Sequence, residues 1–186
     1  MPFVTTIGSI FIILSIFVPM PAVLLIQDML FFSYEHLSFI RPTLAFVGFG
    51  AGMIWIAIVL FSFLLTKMYS EKKGRDYKLT GLHLVFLMLG FVLLAFSIFH
   101  YHYLDDYGIH SNAFLSFSEE SMAWDDVERI SRLVDEDSYR VLSYTFSNND
   151  MQITIPYDAQ DTHTSRIINK ATQVYQWEVI DNFTAK

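Results

Sequence analysis

Long uncharged apolar runs fill the first half of this chain, and short alternating runs fill the second. Val4 to Ile26 carries no charge over 23 residues. As a helix at 1.5 Å per residue it would reach about 34 Å, enough for a hydrocarbon core of about 30 Å. Thr43 to Thr66 and Leu79 to Phe99 are two further uncharged stretches. The pattern predicts three membrane-spanning helices, over about 4–26, 43–66 and 79–99. Pro19 and Pro21 lie inside the first, so a kink or a shortened outer half is expected there. Met1 to Ser9 lacks Lys and Arg, unlike the basic start of a cleaved signal peptide, and reads as part of a retained helix. The division predicts a three-helix membrane domain over 1–104 and a second domain over 105–186.

Beyond Asp105 the period shortens. Tyr139 to Ser147 alternates Leu142, Tyr144 and Phe146 with Ser143, Thr145 and Ser147, and Met151 to Tyr157 alternates in the same way. Asn148-Asn149-Asp150 between them is turn chemistry, so the pair predicts a hairpin. Ile109 to Phe117 supplies one or two earlier strands. Asp161 to Gln176 puts Ile167, Ile168, Ala171, Val174 and Tyr175 on one helical face, with Asp161 or Thr162 as the cap. Trp124 to Val134 fits two patterns. Trp124, Val127, Ile130 and Val134 make a helical stripe, whereas a strand results if Val127 to Leu133 pairs beside Tyr139 to Ser147. The expected core of this domain is Trp124, Leu142, Phe146, Ile153, Ile155 and Ile168.

The succession Tyr107-Gly108-Ile109, Phe114-Leu115-Ser116-Phe117, Met122-Ala123-Trp124-Asp125-Asp126-Val127, hairpin and closing helix resembles the membrane-anchored pleckstrin-homology-like (PH-like) domains of bacteria, over about residues 105–180. The resemblance implies a bent antiparallel sheet closed at one end by a helix, and a strand for the ambiguous segment. It brings no catalytic residues with it. The expected fold class is therefore three transmembrane helices followed by a small α+β, mainly antiparallel β, PH-like domain with a C-terminal helix.

Composition agrees with lipid contact: 53% of the 186 residues are hydrophobic and 17% charged, below the quarter usual for soluble domains. Charge then sets orientation. Lys67, Lys72, Lys73, Arg75 and Lys78 crowd one short loop and are five of the twelve bases. Such a loop stays in the cytoplasm, which predicts a cytoplasmic N-terminus and an extracellular second domain. The aromatic and histidine run from Phe99 to Tyr103 fits an interfacial belt. Residues 101–186 hold fifteen acids and six bases, net −9, within a total of −7. That balance disfavours nucleic acid and would steer a cationic partner. Cysteine is absent, which excludes disulfides and thiolate chemistry and suits a bacterial surface.

Candidate chemistry is sparse. His100, His102 and His110 with Asp105 and Asp106 are the one metal-like grouping, but a histidine belt at a helix exit explains them without a metal. Asp125, Asp126, Asp135, Glu136 and Asp137 are the candidate partner-binding residues, although no Asp-x-Asp-x-Asp-Gly loop organises them for calcium. Trp124, Tyr175 and Trp177 suit either a recognition surface or a core. Gly48 and Gly52 have the small-xxx-small spacing that lets helices approach closely, within the unit or between copies, so a homo- or hetero-oligomer stays open. No charged group lies within a span, and no nucleophile elbow or acid–base pair appears. No cofactor or metal is expected. The sequence reading is a non-enzymatic bacterial membrane protein that binds a protein or peptide through its external domain, with membership of a larger membrane complex as one form of that reading. The alternatives are an immunity-type protein against a cationic peptide or toxin, and a transporter-associated or enzymatic membrane protein.

Overall fold

A computed structural model describes residues 2–158 and 160–184. It divides into two compact units, Met1–Phe31 with Thr43–Phe99, and Phe32–Pro42 with His100–Lys186.

The first unit is helical: α1 Pro2–Phe17, α2 Pro19–Phe31, α3 Thr43–Lys72 and α4 Thr80–Phe99. Helices α3 and α4 are each long and apolar enough to cross a membrane, and the α1–α2 pair, bent by 75°, is a third candidate if it counts as one span. The bend falls where the two prolines predict it. Pro19 has no N–H to offer the carbonyl of Ser15, four residues earlier. That carbonyl instead faces α3 at Gly50, where an added Cβ would stand 3.1 Å from it. Helix α3 runs past the predicted end at Thr66 to Lys72, because nothing in Lys67 to Lys72 breaks a helix.

Glycines set the spacing in this unit. Gly48, Gly50 and Gly52 are all buried. A Cβ at Gly52 would come within 2.8 Å of Leu94 and 3.3 Å of the Gly90 carbonyl on α4. A Cβ at Gly90 would in turn meet Ile56 at 2.6 Å. Among polar groups, the Gln27 amide donates from Nε2 to the Ile98 carbonyl at 2.9 Å, satisfying an acceptor that the end of α4 leaves open. Side chains such as Ile16, 75% exposed, and Leu84, 59% exposed, cover the outside, as a lipid-facing surface requires.

The second unit is α+β. One sheet has the order β1-β2-β3-β4, from Ser38–Ile40, Tyr101–Leu104, Gly108–Asn112 and Glu119–Ala123, all antiparallel. The other has the order β7-β6-β5-β8, from Gln152–Pro156, Val141–Ser147, Arg129–Val134 and Val179–Phe183. Its first three strands are antiparallel, and β8 joins β5 in parallel after helix α5, Thr162–Tyr175. The hairpin β6–β7 turns at Asn148, whose Oδ1 accepts from the backbone of Asp150 and Met151 at 3.0 and 2.8 Å. Asp161 caps α5 by accepting from the backbone N–H groups of His163 and Thr164. The ambiguous segment resolves into a short 3-10 turn at Trp124–Asp126 followed by β5, which pairs with β6.

Four expectations need correction. Residues 32–42, placed with the membrane domain of 1–104, belong to the second unit: Leu37 N–H donates to the Leu104 carbonyl at 2.8 Å and β1 extends that ladder. The division after α4 falls at Phe99/His100, not after 104, because Tyr101–Leu104 is a sheet strand with Tyr101 and His102 buried. Leu142 is 41% exposed, since the register slips at Leu133/Val134 and Val141 turns toward the core in its place. Val174 and Tyr175 on α5 are exposed, at 64% and 38%, rather than part of the core. The rest of the expected core holds, with Trp124, Phe146, Ile153, Ile155 and Ile168 in one buried cluster beside Leu104, Ile109, Met122 and Ile130.

The α3–α4 contact gives a direct prediction. Gly52→Leu should destabilise the protein by about 1–3 kcal/mol, as overpacking does, and lower its thermal midpoint in detergent. An unchanged midpoint would mean that α3 and α4 part without cost.

Candidate functional site

Strand β2 sorts its side chains by the period of two. Leu104 and His102 point to one side, Tyr101 and Tyr103 to the other, and the register carries this to β3, where Ile109 and Ser111 oppose His110 and Asn112. His102 and His110 are therefore on opposite faces. The metal-like grouping is not assembled, and among the described residues no three His, Asp or Glu side chains are placed to hold a metal ion.

His100 and His102 are buried and hydrogen-bonded. His100 Nδ1 lies 2.9 Å from the Asn112 carbonyl, and His102 Nδ1 lies 2.8 Å from Ser111 Oγ. Burial lowers the pKa of both, opposed for His100 by the Asn112 carbonyl, and brings His102 down to about 4, with His100 adding to the effect.

The opposite face of the sheet carries an aromatic and carboxylate cluster. Tyr103 is sandwiched between His36 and His110, with ring centroids 4.1 and 4.3 Å away. Tyr101 and Tyr103 donate their hydroxyls to the two oxygens of Glu119 at 3.0 and 2.9 Å. Burial first and Glu119 second push the Tyr101 hydroxyl up to about 12, and Tyr103 shifts in the same direction. His110 sits between two acids, Nε2 at 3.1 Å from Asp105 and Nδ1 at 3.3 Å from Glu119. These are ion-pair distances without hydrogen-bond alignment. Burial lowers the pKa of His36 against the opposing pull of Asp105.

Asp105 also borders a groove. Its Oδ1 accepts from the backbone of Tyr107 and Gly108, both at 2.8 Å, and this turn is tight: a Cβ on Gly108 would stand 2.1 Å from the Met122 carbonyl. The groove, about 170 Å³, is lined by Asp105, Asp106 and Trp124 and, from α5, by Lys170, Ala171, Val174 and Tyr175. Trp124 is fixed by donating from Nε1 to the Asp105 carbonyl at 3.0 Å. Tyr175 stacks on Trp177 at 4.8 Å. Trp124 is thus a buried core residue that also lines the groove.

The acidic candidates are split. Asp125 and Asp126 occupy the exposed 3-10 turn against α5, beside the groove. Asp135, Glu136 and Asp137 form the β5–β6 turn at the other end of six-residue β5, about 20 Å away. There Asp135 Oδ1 accepts from the backbone of Asp137 and Ser138 and from the Ser138 hydroxyl, so its carboxylate serves the turn. Sequence reasoning missed His36, Tyr103 and Glu119. They are far apart in the chain, and only the alternation of Tyr101 and Tyr103 hinted at a shared face.

Compared with known proteins, the chain matches no family model, no curated protein and no solved structure.

The buried histidines predict acid sensitivity. Unfolded, they take up protons near pH 6.5, whereas folded His102 does so only near 4. The unfolded state therefore binds more protons in that window, and stability falls as pH drops from about 6.5 towards 4, by about 3 kcal/mol for His102. His102→Asn should flatten the difference in unfolding midpoint between about pH 6.5 and pH 5. Tryptophan fluorescence would follow it, since two of the three tryptophans are in this unit. An equal slope in the variant would assign the acid sensitivity to other groups.

Proposed function

We propose that this chain is a bacterial membrane protein whose second unit is a PH-like binding module, held outside the cytoplasm and selective for a basic protein or peptide. The observation that carries the reading is the groove along α5, apolar at Trp124 and Ala171 and lined by two acids, Asp105 and Asp106, against one base, Lys170, on a unit of net −9. An apolar side chain flanked by Lys or Arg has both of its needs met there, burial and a facing carboxylate. The two meanders β2-β3-β4 and β5-β6-β7, followed by α5, support the PH-like assignment. Asp105 supports binding over catalysis, because the backbone N–H groups of Tyr107 and Gly108 hold its carboxylate as a fixed acceptor.

Asp125 and Asp126 extend the acidic rim in this reading. Asp135, Glu136 and Asp137 act through the long-range field alone, which salt screens. Two triple variants separate these roles, because each removes three negative charges. The probe is a fluorescent lysine-rich peptide with one leucine, added to the full chain in detergent at low and high salt. Asp106→Asn, Asp125→Asn and Asp126→Asn together should weaken binding about tenfold at both salt levels. Asp135→Asn, Glu136→Gln and Asp137→Asn together should weaken it only at low salt. Equal effects of the two sets would sink the groove and leave a diffuse charge effect.

Orientation is tested separately. With no native cysteine, single cysteines can be introduced cleanly. In intact cells a cysteine at Lys73 should resist an impermeant thiol reagent, and one at Asp150 should react, if the basic loop is cytoplasmic. The reverse pattern would overturn the external placement of the module.

A further inference from the structure

The α3–α4 pair carries a second groove, built differently. It is about 320 Å³, lined by Trp55, Ile58, Val59, Leu79, Leu82 and Phe86, with Ser62, Thr66 and His83 towards one end. From Trp55 to Thr66 it follows eleven residues of α3, about 16 Å, which is about half of a 30 Å hydrocarbon core. The groove therefore has the length of one leaflet. Its upper part offers nothing but hydrocarbon and the edge of Trp55, whose Nε1 is already spent on the Phe86 carbonyl at 2.8 Å.

The other end is polar and tied together. His83 Nε2 lies 3.3 Å from Ser62 Oγ, and His83 Nδ1 lies 3.0 Å from Tyr77 Oη and 2.9 Å from the Leu79 carbonyl. Tyr77 Oη is 2.8 Å from Thr66 Oγ1, and Thr66 donates to the Ser62 carbonyl at 2.7 Å. Immediately beyond this lip the charge changes. Tyr69 continues the Ser62–Thr66 stripe by one turn, and Lys73 Nζ sits over its ring at 4.4 Å. Lys78 follows Tyr77 and precedes Leu79, a lining residue. From Lys67 to Lys78 there are five bases and two acids, and Lys67 lies 4.0 Å from one of those acids, Glu71.

We propose that this groove is a binding site for an anionic phospholipid, with an acyl chain along Trp55 to Leu82, the ester region at the Ser62–Thr66–His83 lip, and the headgroup phosphate between Lys73 and Lys78. Three properties meet in the order a phospholipid has them: a leaflet-long apolar slot, a hydrogen-bonding lip, and a basic cap. A transmembrane helix of a partner would suit the slot but has no need of the basic cap. A zwitterionic lipid would suit the slot and lip but gains little from the bases, whereas each base near a membrane surface strengthens attraction to anionic lipid severalfold.

The test uses the full chain in mild detergent, titrated with phosphatidylglycerol or with phosphatidylcholine of the same acyl chains. Thermal midpoint and retained lipid by native mass spectrometry are the two readouts. Phosphatidylglycerol should raise the midpoint saturably and leave one lipid on the chain, with phosphatidylcholine about tenfold weaker. Lys73→Gln with Lys78→Gln should reduce the preference for phosphatidylglycerol about tenfold while leaving the lipid-free midpoint unchanged. Leu82→Trp, which fills the slot and spares the bases, should abolish retention of both lipids. Equal response to the two lipids, a preference that survives loss of both lysines, or an effect reproduced by glycerol phosphate without acyl chains would each overturn the proposal.

Discussion

The alternation of side chains along β2 is the constraint on which the second unit depends. Four residues, Tyr101 to Leu104, stand between β1 and β3 and must serve both faces of the sheet. Leu104, fully buried, anchors the core with Ile109 and Met122. Tyr101 and Tyr103, one residue out of phase, build the opposite face with His36, His110 and Glu119. A slip of one residue would exchange a hydrocarbon core for a set of titratable rings. The backbone bond from Leu37 to Leu104 and the short ladder of β1 hold this register from one side, and the β2–β3 turn fixed by Asp105 holds it from the other.

The helical unit is governed by the lack of water around it. Backbone groups need internal partners there, and Pro19 removes the one that the Ser15 carbonyl would have had within its own helix; that carbonyl lies close against α3 at Gly50, where a side chain would crowd it. The same logic explains Gln27, whose amide reaches the Ile98 carbonyl, and the linked hydroxyls around His83. Glycines rather than apolar bulk set the helix spacing, since lipid competes for apolar contact as well as a neighbouring helix does. One helix face then stays open as a groove because the side chains that line it, from Trp55 to Phe86, have lipid as their alternative neighbour.

Both grooves combine an apolar floor with charge at the rim, and the sign differs. On the second unit the groove is lined by Asp105 and Asp106 against one base, Lys170, within a net charge of −9, and the helical unit's groove ends near the basic stretch of Lys67 to Lys78. Charge at a rim selects among ligands that all satisfy the floor. In the two proposed readings, the first groove suits cations and the second anions.

The helices were legible in the sequence because a bilayer demands long uncharged runs, and Thr43 to Thr66 and Leu79 to Phe99 meet that demand locally. So were the prolines at the bend, the β6–β7 hairpin around Asn148 and the cap at Asp161, since each rests on chemistry within a few residues. The adjacency of His36, Tyr103, His110 and Glu119 was not legible, because β1 joins β2 across the whole of α3 and α4. Nor was the exposure of Leu142, which follows from a register slip between strands rather than from its own alternation. The separation of Asp125 and Asp126 from Asp135 to Asp137 likewise needed the extended path of β5. Local pattern determined which segments became helix or strand, since those preferences act over a few residues; strand pairing and register, which act between distant ones, decided which side chains share a face.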